Sequence, residues 1–339
     1  MKKVLSLILA LAMVFALVAC GEKQPASDGD ASSDGDKPAR GNVIMTFGTA
    51  DTGGSMYPAG APAGAAVSQV WTNNVEGVKC NTQTSTGSFQ NCQDVSTGEV
   101  DVAVATSDVV LNAYNGTGKF ADIGKLDNLR VIGAVYTSVL SGVALKSSGL
   151  TYIHDLLGKR VAVGPAASAT ENATLAAFDA MGIDSSNTSL ENLGLGDGAD
   201  SVGDGILDAA FGFAGLPIGG QLNLAATKEI QVLDMTQEEI DKVLAGNAAY
   251  IQTKIPAGTY TGQDNDANTF GVKCLIIVTA DMDADLVYDL CKAMNEHTEE
   301  MAAGNALLKD MTDPSFLCTQ MPIPLHDGAQ KYYSEQGLI

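Results

Sequence analysis

Four stretches of the chain carry glycine and hydroxyl residues where an apolar strand pattern gives way to a helical one. They are "ADTGGSMYP" after "NVIMTFGTA", "STGS" after "VKCNTQT", "TSD" closing "VDVAVAT", and "GPAASATEN" after "KRVAVG". Glycine lets backbone N–H groups approach a ligand closely, and a serine or threonine hydroxyl caps a helix while donating to an oxyanion. In an open α/β sheet, ligands bind beyond the carboxyl ends of the strands, where helix N-termini gather. Singly, each stretch is a helix cap with a tight turn. Four at equivalent positions point to one shared site, and its chemistry is the holding of an anion by uncharged donors. The candidate ligand-binding residues are Gly54, Ser55 and Tyr57; Ser85, Gly87, Ser88 and Asn91; and Thr106, Pro165, Ser168 and Thr170. Tyr136 and, at the end of "ILDAAFGFAG", Phe211 and Gly215 complete the set.

Outside the N-terminal region the chain has two arginines, Arg130 and Arg160, each at the start of a strand and so at the end opposite these loops. A bidentate arginine clamp on a carboxylate is therefore not expected. Neutral donors also avoid the cost of burying an ion pair. Catalysis finds no support: the three histidines (His154, His297, His326) follow no strand end, and no G-x-S-x-G, P-loop or H-E-x-x-H pattern occurs. "GLGDGADSVGDG" lacks dinucleotide-binding spacing, and "DNDAN" at 264–268 lacks the glycine and distal glutamate of a calcium loop. No cofactor and no metal are expected. With 40 acidic residues against 19 basic ones and a net charge of −21, nucleic acid is excluded as a partner.

The elements that must position these loops alternate between strand and helix, the pattern of parallel sheets with crossover helices. Beyond the first strand the spacing predicts a helix over "PAGAPAGAAVSQVWTNN", a strand, a helix over "SFQNCQDVSTG" and a third strand. "LRVIGAVYTSVLSGVALK" is eighteen residues of β-prone sequence, too long for one ordinary strand unless it leaves one domain and enters another. A second unit follows through "KRVAVG", "SLENLG" and "ILDAAFGFAG", before "FGVKCLIIVTA" and the amphipathic "ADLVYDLCKAMNEHTEEMAA" return to the first. Two crossings imply a discontinuous first lobe, 41–138 with 270–339, and an inserted second lobe, 139–269, hinged near 136–141 and 268–272.

Lys2 and Lys3 precede the apolar run "VLSLILALAMVFALVA", which ends in "LVACG". This reads as a signal peptide, 1–19, with a lipobox that implies cleavage before Cys20 and a lipid on its thiol. Residues 20–40 read as the anchor and a flexible tether, being rich in Gly, Ser, Asp and Pro. The remaining cysteines, Cys80, Cys92, Cys274, Cys291 and Cys318, are odd in number and form no C-x-x-C pair, so one bridge is possible but buried packing is the expectation.

"GGSMYP" (53–58), "GSFQN" (87–91), "GEVDVA" (98–103), "DLLGKRVAVGPAASAT", "LDAAF" (207–211), "PAGTY" (256–260) and "HDGAQKYYSEQG" occur in that order. Together they resemble the TAXI family of solute-binding receptors, which serve TRAP transporters, over about Val43 to Gly337. The chain departs from that pattern at Cys92, at Asp327 and at Ala169, which stands for a glycine in the Ser-Gly-Thr loop. The resemblance implies an α/β, two-lobed periplasmic-binding-protein-like fold (type II) with the ligand cleft between the domains. It implies capture of a small carboxylate, glutamate- or glutamine-like or a dicarboxylate, and delivery to the membrane subunits of a TRAP permease. The expected place is extracytoplasmic, anchored to the cell membrane. The alternatives are a binding lipoprotein of an ATP-driven importer and a ligand-sensing module for a membrane kinase.

Overall fold

A computed structural model describes residues 41–50, 55–60, 66–166 and 168–339. The proposed signal peptide, Cys20 and the tether lie outside the described residues. The chain runs through β1 (Val43–Gly48), α1 (Met56–Gly60), α2 (Val67–Asn74), β2 (Val78–Gln83), α3 (Ser88–Thr97), β3 (Val102–Thr106) and α4 (Ser107–Asn115) to the long β4 (Leu129–Leu145). Then come β5 (Arg160–Ala162), α5 (Ala169–Ala180), β6 (Ser189–Glu191), α6 (Leu195–Gly203), β7 (Ala209–Ala214), α7 (Gly219–Thr227), β8 (Ile230–Val232), α8 (Gln237–Gly246) and β9 (Ile251–Ile255). The second long strand, β10 (Ala267–Thr279), leads to α9 (Ala284–Glu296), α10 (Thr298–Gly304), α11 (Pro314–Cys318) and α12 (Asp327–Glu335).

Hydrogen bonding links the strands in the order β2-β1-β3-β10-β4-β7-β5-β6, with β8 on β4 and β9 on β10. The outer groups are parallel, as their crossover helices require: β1 with β2 and β3, and β5 with β6 and β7. The two long central strands are antiparallel to each other and to β3 and β7, so the sheet is mixed rather than parallel throughout. The βαβ units are parallel, as the alternation of strands and helices predicts, and the strands that pass between two such units must each run against one of them.

The length of β4 has a plain cause. Its residues are mostly apolar and nearly all buried, so both faces need cover along the whole run. From Leu129 to Val139 it pairs with β10, and from Val139 to Ala144 with β7. Cores follow the same division. Cys274, Ile276 and Val278 of β10 face a cluster with Phe47, Trp71 and Met294, while Leu275 and Ile277 face one with Val110, Phe120 and Leu129. Beyond the crossing, Phe178 and Phe211 pack on one face and Val143, Leu224 and Tyr260 on the other. Each large side chain so buried contributes about 1.5–3 kcal/mol.

Two predicted helices differ in outcome. "PAGAPAGAAVSQVWTNN" contains the end of α1 and all of α2, with residues 61–65 outside the described set. The pattern from 284 to 303 breaks at His297, where Nδ1 lies 2.9 Å from the Ala293 carbonyl oxygen and a new helix starts. The predicted return strand from Phe270 begins three residues earlier, at Ala267. All five described cysteines are buried and free, and burial lifts the thiol pKa of Cys80 and of Cys274 to about 12. Among the described residues no helix is long and apolar enough to cross a membrane.

Candidate functional site

Parallel strands carry their following loops to the same edge, and the two halves of the sheet turn those edges toward each other. The result is one cavity of about 1220 Å³, walled by segments that follow β1, β2 and β3 on one side and β5, β6 and β7 on the other. Its wall includes Ser55, Ser85, Gly87, Ser88, Tyr136, Pro165, Ser168 and Thr170 from the sequence-derived set. Gly54 lies outside the described residues.

Local chemistry explains how these side chains are held. Gly87 is the N-cap of α3 with φ of +115°, a backbone angle that L side chains rarely adopt. Ahead of it, Ser85 Oγ donates to the Thr49 carbonyl and accepts from the Gly87 amide, both at 3.0 Å. Ser88 is therefore the first residue inside the helix and not its cap. Its hydroxyl accepts from the Thr106 amide at 3.0 Å, tying the loop after β2 to the end of β3. Ser168 caps α5 by accepting from the Glu171 amide (3.1 Å), and Thr170 accepts from the Phe213 amide (3.2 Å). Ser55 reaches across the cavity to accept from the Gly215 amide at 3.0 Å. A hydroxyl that accepts an amide hydrogen keeps its own proton to donate, so Ser55, Ser168 and Thr170 remain donors to a guest.

Five candidates are placed elsewhere. Asn91 is fully buried beneath the loop, its amide donating to the carbonyls of Thr49 and Val104 (2.7 Å for the latter). Thr106 stands behind Ser88. Tyr57 lies on α1 outside the wall, and Gly215 contributes its amide to Ser55 while Ala214 forms the surface. Phe211 belongs to the core, edge-on to Phe178, whereas Phe213, two residues nearer the strand's end on the same face, lines the cavity.

Other wall residues were not anticipated. Gly194 to Asp197 open α6 directly after β6. These belong to the glycine-rich segment that lacks dinucleotide spacing, and the strand-end rule applied to "SLENLG" finds them. Asp108 follows β3 within "TSD". Asn247 and Tyr250 come from the segment between α8 and β9, where no such rule points. Lys119, in a short turn beyond α4, places its ammonium 3.6 Å from Glu171 of α5 across the cavity mouth. Ser107 makes a third bond between the halves, to the Ala249 carbonyl at 3.4 Å.

Among the described residues the charged members of the wall are Asp108, Asp197 and Lys119. Neither arginine takes part: Arg160 pairs with Asp208 at 2.9 Å, and Arg130 bonds the Asp127 carbonyl. Burial pushes the Asp108 carboxyl above the usual carboxylate range, opposed in part by the Thr106 side chain and the first amides of α4. Burial, with Asp108 adding to it, also raises the Tyr250 phenol. Among the described residues no three His, Cys, Asp or Glu side chains gather as metal ligands.

The profile of the NMT1-like family matches residues 47–337, which include every strand-end loop of the cavity. The chain belongs to the NMT1-like family. Solved structures to which the chain is similar include the periplasmic aliphatic sulphonate binding protein SsuA from Escherichia coli, at 13% identity over 86% of this chain and 82% of that one, with a TM-score of 0.45. The alkanesulfonate-binding protein SsuA from Xanthomonas axonopodis pv. citri, bound to MOPS, is 14% identical over 88% and 95% of the two chains, with a TM-score of 0.47. An ancestral arginine-binding protein bound to arginine is 12% identical over 82% and 99%, with a TM-score of 0.46.

Proposed function

We propose that this NMT1-like chain is an extracytoplasmic solute-binding receptor whose lobes, 41–138 with 270–339 and 139–269, close over a small carboxylate. The observation that carries this reading is the cavity itself: its wall is drawn from strand-end loops of both halves, and the chain passes between those halves along β4 and β10. Ser55, Ser168 and Thr170, with the amides at the starts of α3 and α5, supply neutral donors to the carboxylate. The order of motifs from "GGSMYP" to "HDGAQKYYSEQG" supports assignment to the TAXI type and delivery to a TRAP permease, with Cys20 as the lipid anchor. A thermal-shift screen of the purified protein against amino acids, dicarboxylates and 2-oxo acids tests the reading, because a ligand that binds the native state raises its melting temperature. Stabilisation by a member of the panel, abolished by Thr170→Val, is the expected result. A flat response across the panel sinks it.

A further inference from the structure

The cavity wall contains a group that a plain anion does not explain. Asp108 is 1% exposed and sits in the first turn of α4 just after β3, its carboxyl bonded by the Thr106 side chain. Its Oδ1 atom is buried without a hydrogen-bond partner. A carboxylate at a helix N-terminus is favoured by the helix dipole, and that accounts for its place on α4. It does not account for an oxygen removed from water and left unbonded, which is costly for a neutral acid and more so for a charged one. Among the described residues no cation of the wall offsets it, since Lys119 is engaged with Glu171. Counting Asp197, the described residues of the wall include two carboxylates and one lysine, a balance that repels a simple anion.

We propose that Asp108 is the counter-charge for a cationic nitrogen on the bound solute, so that the site selects zwitterionic carboxylates over plain carboxylates. This rests on the solute-binding reading above. The donors are divided to match: hydroxyls and helix amides at the Ser55, Ser168 and Thr170 side receive the carboxylate, and the unpartnered Asp108 oxygen receives the nitrogen. A buried acid kept in a ligand cavity at a cost to stability is where a specificity group is expected.

The test is calorimetric titration of carboxylate pairs that differ in the nitrogen alone: L-glutamate and glutarate, L-leucine and 4-methylpentanoate, 4-aminobutyrate and butyrate, glycine betaine and 3,3-dimethylbutyrate. The wild type should bind one nitrogen-bearing member roughly tenfold to a hundredfold more tightly than its partner, and Asp108→Asn should bring that pair within a few-fold. Asp108→Glu, which keeps the charge, should retain the preference. Nitrogen-free acids binding as tightly as their partners would overturn the proposal while leaving the carboxylate receptor intact, as would an unchanged preference in Asp108→Asn. Loss of a cooperative melt in Asp108→Asn assigns the carboxylate to the fold and overturns it too. If neither member of any pair binds, this inference fails, and the receptor reading falls with it only where the thermal-shift panel is flat as well.

Discussion

Asn91 shows what a sequence does and does not disclose about a single side chain. It lies one turn into α3, behind a glycine and a serine that face the cavity, and its type suits a carboxylate ligand. Position in the chain does not say which way a residue turns, and the amide instead spans the buried carbonyls of Thr49 and Val104. Asn91→Ala should therefore lower the melting temperature of the ligand-free protein by several degrees, as about 1–3 kcal/mol is lost when buried acceptors go unpaired. An unchanged melt combined with weaker ligand binding would return Asn91 to the site. Ser55, Ser168 and Thr170 were readable because each directly precedes or opens a helix after a strand. Asp108 was visible in "TSD", yet its burial and its lone oxygen are properties of the packed neighbours, Thr106 and Tyr250 among them, which no spacing reveals.

The long strands are where elements were most legible, since eighteen β-prone residues exceed what one small sheet can pair. Less visible was their antiparallel setting, which depends on partners far away in sequence, and the short β8 and β9, which exist only as additions to β4 and β10. Gly271 stands where the two long strands cross from one half to the other, opposite Val139. A Cβ there would lie 2.4 Å from the Ser138 carbonyl oxygen. Gly271→Ala should cost about 1–3 kcal/mol through forced backbone movement, read from denaturant unfolding. The start of α12 yields a pH prediction. His326 is buried and caps the helix by accepting from the Gly328 amide at 3.2 Å. Burial holds the imidazole below its ordinary value, opposed in part by contacts with the backbone of Met282 and Ala280 and by Asp327. A lowered folded-state pKa means that stability is full above the ordinary value near ~6.5 and is lost as pH falls through the folded one. The stability difference between wild type and His326→Asn, which keeps a capping acceptor, should accordingly shrink from pH 7.5 to pH 5. A difference constant over that range argues against a buried neutral imidazole.

At the scale of the molecule, Ser55 with Gly215, Ser107 with Ala249 and Lys119 with Glu171 join the two halves across the cavity. A bound solute should add to these links, so small-angle scattering at saturation is expected to give a smaller radius of gyration than the ligand-free protein. No compaction would count against closure. The lysine pair, partly open to solvent, should weaken with ionic strength, and the hydroxyl contact should not. Any relative motion of the halves must also pass through β4 and β10, which are hydrogen-bonded to each other from Leu129 to Val139. Separate linkers would allow each half to twist, slide and tilt independently. A paired ribbon resists sliding, because slippage along the strands breaks its ladder a bond at a time, and it resists spreading for the same reason. Flexing out of the ribbon plane alone leaves every bond made. Were the proposed lobes to move, such a joint would bend about one soft axis, and solutes of different length would be met at different opening angles while the facing loops stay in lateral alignment.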